Sequence, residues 1–215
     1  AEKIAVVDAE GQWFQPNRLL TILTKLFLEA HRHKEPYAIA VPMLASTDIE
    51  IIAQDYNVEV IRIKNSHSAM MEATKNQKVL FSGDTRGRFI FTEYLFASDG
   101  MFSLAKCLEM LAITGLTFSG LHQQLPYRAR MHYTIPCPWE KKGIVMRKAM
   151  EYTEHMERIL IDGITVNTPD STIVLFPDKE RPAFIVAVEA SSDAMAMEIA
   201  TMYKELITSW AISLS

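Results

Sequence analysis

Apolar and polar positions alternate so as to divide the chain into a series of short elements. Ile4-Ala5-Val6-Val7 reads as a short buried strand, and Asp8 to Gly11 as a turn. Leu20, Leu23, Phe27 and Ala30 recur at helical spacing within Pro16 to Ala30, and Leu19 and Leu26 widen the stripe. His31, Arg32, His33 and Lys34 end that helix, as cations suit a helix C-terminus. Tyr37 to Val41 reads as a buried strand. Ser46 or Thr47 caps the next helix, with Thr47 and Glu50 at capping-box spacing and Ile49, Ile52 and Ala53 on its apolar side. Val58, Val60, Ile61 and Ile63 predict a strand, followed by Lys64 to Ser68 opening a helix. Lys78 to Ser82 and Phe89 to Phe91 predict two strands joined by a glycine-bracketed loop. Ser98 is expected to cap the following helix, which buries Phe102, Ala105, Leu108 and Leu111 or Ala112.

Thr114 to Arg130 breaks the pattern and reads as a linker. Met131 to Ile135 then predicts a strand, and Pro136 to Glu140 a stiff turn into a helix with Val145, Ala149, Tyr152, Met156 and Ile159 on one face. Asp162-Gly163 is a turn, and Ile164 to Val166, Thr172 to Phe176 and Ala183 to Val188 are strands. Asp193 opens a last helix with Ile199, Tyr203, Leu206 and Trp210 on one face. The order β-α-β-α-β-loop-β-α implies an α/β domain over residues 1–125 with a largely parallel sheet. The order β-α-β-β-β-α implies a small α+β domain over 126–215 with a largely antiparallel sheet.

Composition narrows the class. At 215 residues, 49% apolar and net charge −4, the chain has enough material for packed cores. Its basic residues form no stripe, so a nucleic-acid surface is not expected. No apolar run reaches the roughly 18 residues of a membrane span. No signal peptide opens the chain, and a cytoplasmic location is expected. Cys107 and Cys137 make neither a disulfide framework nor a zinc site. His31 and His33 could pair at a metal, but residues two apart do not share a helix face. The twelve methionines fall mostly on helix faces as core filler.

Three loops carry the candidate chemistry. Ser82-Gly83-Asp84-Thr85-Arg86-Gly87-Arg88 places an acid and two arginines between two glycines, where the backbone can approach a ligand. On local features it fits a hairpin connection with solvated charges equally well. Lys64-Asn65-Ser66-His67-Ser68 joins a strand to a helix N-terminus, a geometry that suits anions. Phe176-Pro177-Asp178-Lys179-Glu180-Arg181-Pro182 is an acidic loop between two strands.

These loops resemble those of the α-D-phosphohexomutases (phosphomannomutases and phosphoglucomutases). Gly83 to Arg88, the strand Phe89-Ile90-Phe91 and Asp99-Gly100 are similar to the family's Gly-Glu-x-Ser-Gly-His sugar loop, apolar strand and Asp-Gly helix start. Asp84 stands for the glutamate and Arg86 for the serine. Lys64 and His67 match a Lys-x-Gly-His/Asp loop near the transferred phosphate, and Ser66 replaces its glycine. The acidic loop aligns with Arg-x-Ser-x-Thr-x-Pro, which holds the non-transferred phosphate. There Phe176 replaces the arginine, Asp178 the serine and Glu180 the threonine. Hydroxyls donate to phosphate and carboxylates only accept, so the resemblance implies a lost phosphate clamp.

Nearly the whole chain is covered, as the family's third and fourth domains with the tail of the second. Glu2-Lys3 stand where the metal loop would end in Asp-Arg. The resemblance therefore implies a fragment without the family's magnesium loop or phosphoserine, and with no cofactor of its own. Cys137-Pro138-Trp139-Glu140-Lys141-Lys142-Gly143 and Val145-Met146-Arg147 resemble, more narrowly, the mutase-like region of bacterial mannose-1-phosphate guanylyltransferase fusion proteins. Three functions stay open. The chain is a non-catalytic module that binds a hexose phosphate weakly or regulates attached N-terminal domains; or it is part of a genuine mutase, with Lys64, His67, Asp84, Arg86 and Arg88 at the substrate; or it is a structural module that forms a homo-oligomer, its Tyr203–Leu206–Trp210 stripe either pairing two copies or covering its own sheet.

Overall fold

The computed structural model describes residues 1–32 and 37–212. These form two compact units, Ala1–Pro126 and Tyr127–Ser215.

The first unit is a three-layer α/β/α sandwich. Its sheet has the order β2-β1-β3-β4, formed by Glu59–Ile63, Ala38–Pro42, Val79–Gly83 and Phe89–Phe91. β1 lies parallel to β2 and β3, and β4 returns antiparallel to β3. β1 is buried throughout, as a central parallel strand must be. Its alternate side chains feed two cores. Ile39 and Val41 join Phe81, Phe89 and Phe91 under α1 (Pro16–Ala30), α2 (Asp48–Gln54) and α4 (Gly100–Thr114). Ala38 and Ala40 join Met70 of α3 (His67–Ala73) on the other face. Each parallel crossover delivers the loop after β2 or β3 to one end of the sheet, so the candidate loops share that end.

Several expectations need correction. Ile4 to Val7 is not a buried strand: it forms one bridge, Val7 to Trp13, and Val7 is exposed. Thr47 precedes α2 but its side chain does not cap the helix; Ser46 Oγ accepts from Asp48 N (3.2 Å). Glu50 is drawn away from the box by a two-bond pair with Arg62 (2.6 Å each). Asp99, not Ser98, caps α4 by accepting from Phe102 N (2.8 Å). α4 buries Ser103, Cys107 and Met110, while Ala105 and Leu108 face outward. The supposed linker contains α5 (Phe118–Gln124), capped by Thr117. Arg18 ties α5 to α1, donating to His122 Nδ1 (3.0 Å) and to the carbonyls of His122 and Leu125. His31 is buried, stacks on Phe27 and shares a hydrogen bond with its carbonyl (2.8 Å). His33 lies outside the described residues.

The second unit is α+β. Its antiparallel sheet runs β5-β9-β8-β7-β6, formed by Ala129–Pro136, Ala183–Ala190, Ser171–Pro177, Ile164–Asn167 and Arg158–Ile159. α6 (Lys142–Tyr152) and α7 (Asp193–Ile212) share a core with it. Tyr203, Leu206 and Trp210 lie in that core, so the α7 stripe covers its own sheet. α6 stops at Tyr152, short of the expected Met156 and Ile159, and Ile159 instead lies in edge strand β6. Gly163 sits at φ +99°, and a Cβ there would meet the Leu175 carbonyl at 2.3 Å, so the 162–163 turn requires glycine.

No single described helix is long and apolar enough to cross a membrane. α4 and α5 reach that composition only as a pair bent by 75°.

Candidate functional site

Ser66 opens α3 by accepting from Ala69 N (3.2 Å), which sets His67 at the helix's first residue. His67 Nε2 is hydrogen-bonded to Ser98 Oγ (3.0 Å), so the loop after β2 meets the turn into α4. Ser98, freed from capping by Asp99, is the link between them. Lys64 is exposed and forms no ion pair among the described residues.

The glycine loop reaches the same turn through the N-terminal segment. Ile4 N donates to the Gly87 carbonyl (3.0 Å) and Gly100 N to the Ala1 carbonyl (2.9 Å). Gly87 sits at φ +86°, and a Cβ there would lie 2.6 Å from the Ile4 carbonyl oxygen. A Cβ at Gly100 would lie 2.9 Å from the Lys3 carbonyl oxygen. The close backbone approach that these glycines permit is made by residues 1–4 of the chain itself.

The charged groups of the loop divide by task. Asp84 is buried; its Oδ1 accepts from Arg86 N (2.8 Å) and Arg88 N (2.9 Å), and its Oδ2 from Arg88 Nη1 (3.4 Å). The carboxylate shapes its own turn. Arg88 is shared between Asp84 and Glu2, whose Oε2 lies 3.5 Å from Arg88 Nε. Arg86 is exposed and makes no ion pair among the described residues. Lys64 and Arg86 are thus the candidate cations left for an anion.

The acidic loop belongs to the second unit. Phe176 is half-buried in β8, paired with Ile185 and packed where a Gly163 Cβ would fall. Asp178 Oδ1 accepts from Glu180 N (2.8 Å) and Arg181 N (3.2 Å), so a carboxylate occupies the amides that an anion would need. Glu180 is exposed, and Lys179 pairs with Asp162 (2.9 Å). Lys142 holds the loop from beneath, donating to the carbonyls of Asp178 and Arg181 (2.5 Å each) with its ammonium 3.3 Å from the Trp139 ring centroid. Nothing in the sequence pattern marks Lys142, since a lysine in a first helical turn reads as solvated. Among the described residues no three His, Cys, Asp or Glu side chains converge on a metal position.

The first unit is thus a mixed-sheet α/β/α layer with polar loops at one end, and the second a small antiparallel α+β unit. The phosphoglucomutase/phosphomannomutase α/β/α domain III matches residues 15–128, and the chain belongs to that family. A phosphoglucosamine mutase of Methanococcus aeolicus is 28% identical over 203 residues, covering 93% of this chain and 44% of the relative. That of Methanocaldococcus jannaschii is 25% identical over 202 residues, with the same coverage. The chain therefore spans less than half the length of these relatives. Among solved structures, a phosphoglucomutase/phosphomannomutase family protein from Burkholderia thailandensis matches with TM-score 0.81 at 19% identity, covering 99% of this chain and 45% of that one. An Aspergillus fumigatus N-acetylphosphoglucosamine mutase, solved with GlcNAc-6P and magnesium, matches with TM-score 0.74 at 10% identity, covering 98% of this chain and 47% of that one. At these identities the structures speak for the fold alone, and they agree with an α/β unit followed by an antiparallel one.

Proposed function

We propose that this chain is the sugar-reading portion of a phosphohexomutase, a protein that moves a phosphoryl group between two positions of a hexose. The observation that carries this reading is the His67–Ser98 hydrogen bond, because it joins the loop after β2 to the turn into α4 at the sheet end where ligands of such sheets bind. Lys64 and Arg86 would neutralise a substrate phosphate, and His67 would place an N–H or a lone pair toward the sugar. Asp84 and Arg88 would hold the loop's shape. The similarity to phosphoglucosamine mutases favours an amino-hexose phosphate as the substrate class.

A second reading is favoured by the Asp178 carboxylate seated on the Glu180 and Arg181 amides. A loop so occupied rejects a dianion, as in a degenerate module that senses or scaffolds. The Cys137–Gly143 resemblance would place such a module in a mannose-1-phosphate guanylyltransferase fusion, with magnesium and nucleotide chemistry in other domains of the cytoplasmic parent protein.

Both readings are tested by titrating the chain with glucosamine 6-phosphate, glucosamine 1-phosphate and mannose 1-phosphate while following amide chemical shifts. The mutase reading expects shifts at Lys64, His67 and Arg86 that Arg86→Ala weakens about tenfold, the scale of one charge-assisted hydrogen bond. An assay of the whole protein for interconversion of the 1- and 6-phosphates then separates the two. Binding without turnover supports the degenerate module as a sensor, and no binding of any of the three at millimolar concentration refutes the mutase reading and leaves the degenerate module as a scaffold.

A further inference from the structure

We infer that His122 is a proton-operated clasp: neutral, it ties the 7–14 stretch to α5, and protonated, it loosens that stretch and the Ile4 contact with the glycine loop. The assignment begins with the direction of one hydrogen bond. Arg18 Nε lies 3.0 Å from His122 Nδ1. A guanidinium only donates and does not give up its proton, so Nδ1 presents its lone pair. The neutral ring therefore carries its proton on Nε2. The Gln12 carboxamide, whose nitrogen lies 3.3 Å from Nε2, turns its oxygen to that N–H, because two donors do not bond each other.

Arg18 cannot step aside for a second ring proton. Its Nη1 donates to the Pro126 carbonyl (2.8 Å), and its Nη2 to those of His122 (2.9 Å) and Leu125 (3.1 Å). Protonation of Nδ1 sets one N–H and one positive charge against another that is held in place. The ring must then swing away, and it leaves what it holds. Gln12 is bonded to it, and the Phe14 ring packs on it with centroids 5.3 Å apart. Two contacts between the stretch and α5 do not depend on the ring: Ser119 Oγ donates to Asp8 Oδ2 (2.8 Å), and Phe14 lies against Phe118. Protonation therefore loosens the stretch without freeing it.

The charges that face His122 are Arg18 from α1 and Asp8 from the 8–11 turn; α5 itself adds none. Asp8 attracts an imidazolium, but its oxygens are already engaged by Glu10 N, Gln12 N and Ser119 Oγ. Burial first, and Arg18 second, outweigh Asp8 and favour the neutral ring. The effect is carried onward by the backbone of the stretch. Asp8 N donates to the Gln12 carbonyl (3.1 Å), Phe14 N to the Val6 carbonyl (3.1 Å) and Ile4 N to the Gly87 carbonyl (3.0 Å). Residues 4–14 thus run as one strip from α5 to the glycine loop.

Long-range nitrogen–proton NMR of the chain labelled at its histidine nitrogens reads both the tautomer and the titration. His122 should be the Nε2–H tautomer when neutral and should titrate below 6.5. Between 6.5 and that lower value, the loosened population should rise by up to about tenfold per pH unit, because one proton is taken up. Hydrogen-exchange protection factors at the amides of Ile4, Asp8, Gln12 and Phe14 should fall accordingly, while those of β1 hold. His122→Asn keeps an acceptor in the place of Nδ1 and cannot titrate, so its protection at those four amides should stay level between about pH 7.5 and 5.5. An equal loss of protection in the wild-type and His122→Asn chains would overturn the inference. An Nδ1–H tautomer in the wild-type chain, or a titration at or above 6.5, would overturn it even where His122→Asn fails to fold.

Discussion

Gly87→Ala separates the structural task of the glycine loop from its ligand-binding task. At φ +86° an L side chain costs about 1–2 kcal/mol relative to its ordinary conformation. The new methyl would also sit 2.6 Å from the Ile4 carbonyl oxygen, a backbone atom that cannot rotate away. Either the loop or residues 1–4 must therefore move, which weakens the Ile4 N to Gly87 O bond at about 1 kcal/mol. The expected loss is about 2–3 kcal/mol from the first unit. Gly143→Ala is the counterpart: Gly143 lies in α6, exposed, with nothing within 4 Å of its Cβ position, and should gain up to about 1 kcal/mol. Urea unfolding followed by tryptophan fluorescence reads both, with Trp13 in the first unit and Trp139 and Trp210 in the second. Hydrogen exchange of residues 1–14 shows whether the segment has lifted off. A neutral Gly87→Ala with an undisturbed 1–14 segment would refute the reasoning, because it would mean that nothing in the chain depends on that close approach.

Lys142→Met removes the donor from two carbonyls of the acidic loop and should cost about 1–3 kcal/mol in urea unfolding, with faster hydrogen exchange confined to 177–183. Acidification should destabilise the chain near neutrality. Burial first, and the Arg18 charge second, hold His122 below its ordinary 6.5. The unfolded chain then binds protons that the folded chain refuses. Stability is complete above about pH 6.5 and falls as the pH drops below it; thermal melts at pH 7.5, 6.5 and 5.5 should show the decline, and His122→Gln should lessen it. Neither thiol should react with a disulfide reagent at pH 8 until the chain unfolds, since burial pushes Cys107 up to about 12 and also raises Cys137.

Much of the fold could be read from periodicity because each half has a one-sided pattern. α1 runs over the predicted residues, and the central strands fall on continuous apolar runs. α4 could not be read in that way. Apart from Lys106 and Glu109 it carries apolar residues on both faces, so hydrophobicity alone does not choose its buried face, and the choice falls to packing against α1 and to the Asp99 cap. α5 escaped because its seven residues include a glycine and a histidine and are held by Arg18 from far along the chain. Met156, in the turn that follows α6, and Ile159, in β6, kept the spacing of α6 after the helix had ended, because apolar residues three apart in a turn and a strand match a helical stripe over one turn. The candidate loops were legible as loops, but the hydrogen bonds that Ser98 and Lys142 make across them depend on contacts remote in sequence.

The aspartates explain what those loops leave open. Asp8 Oδ1 accepts from Glu10 N and Gln12 N, Asp84 Oδ1 from Arg86 N and Arg88 N, and Asp178 Oδ1 from Glu180 N and Arg181 N. In all three the acid gathers amides that follow it in the chain and closes its own turn, as a short carboxylate does readily. Asp84, one methylene shorter than glutamate, therefore turns inward and leaves the surface of its loop to Arg86. At Asp178 the same inward turn consumes the amides. Nearby Lys142 is spent on carbonyls and Lys179 on Asp162, so the loop retains Arg181 as its exposed cation. Anion affinity should accordingly reside with Lys64 and Arg86 in the first unit, and Asp178→Ser, which frees two amides and removes a negative charge, should bring phosphate binding to the second. Phosphorus relaxation of inorganic phosphate against the Asp178→Ser chain measures this. An unchanged affinity would show that the carboxylate is not what keeps the loop from holding an anion.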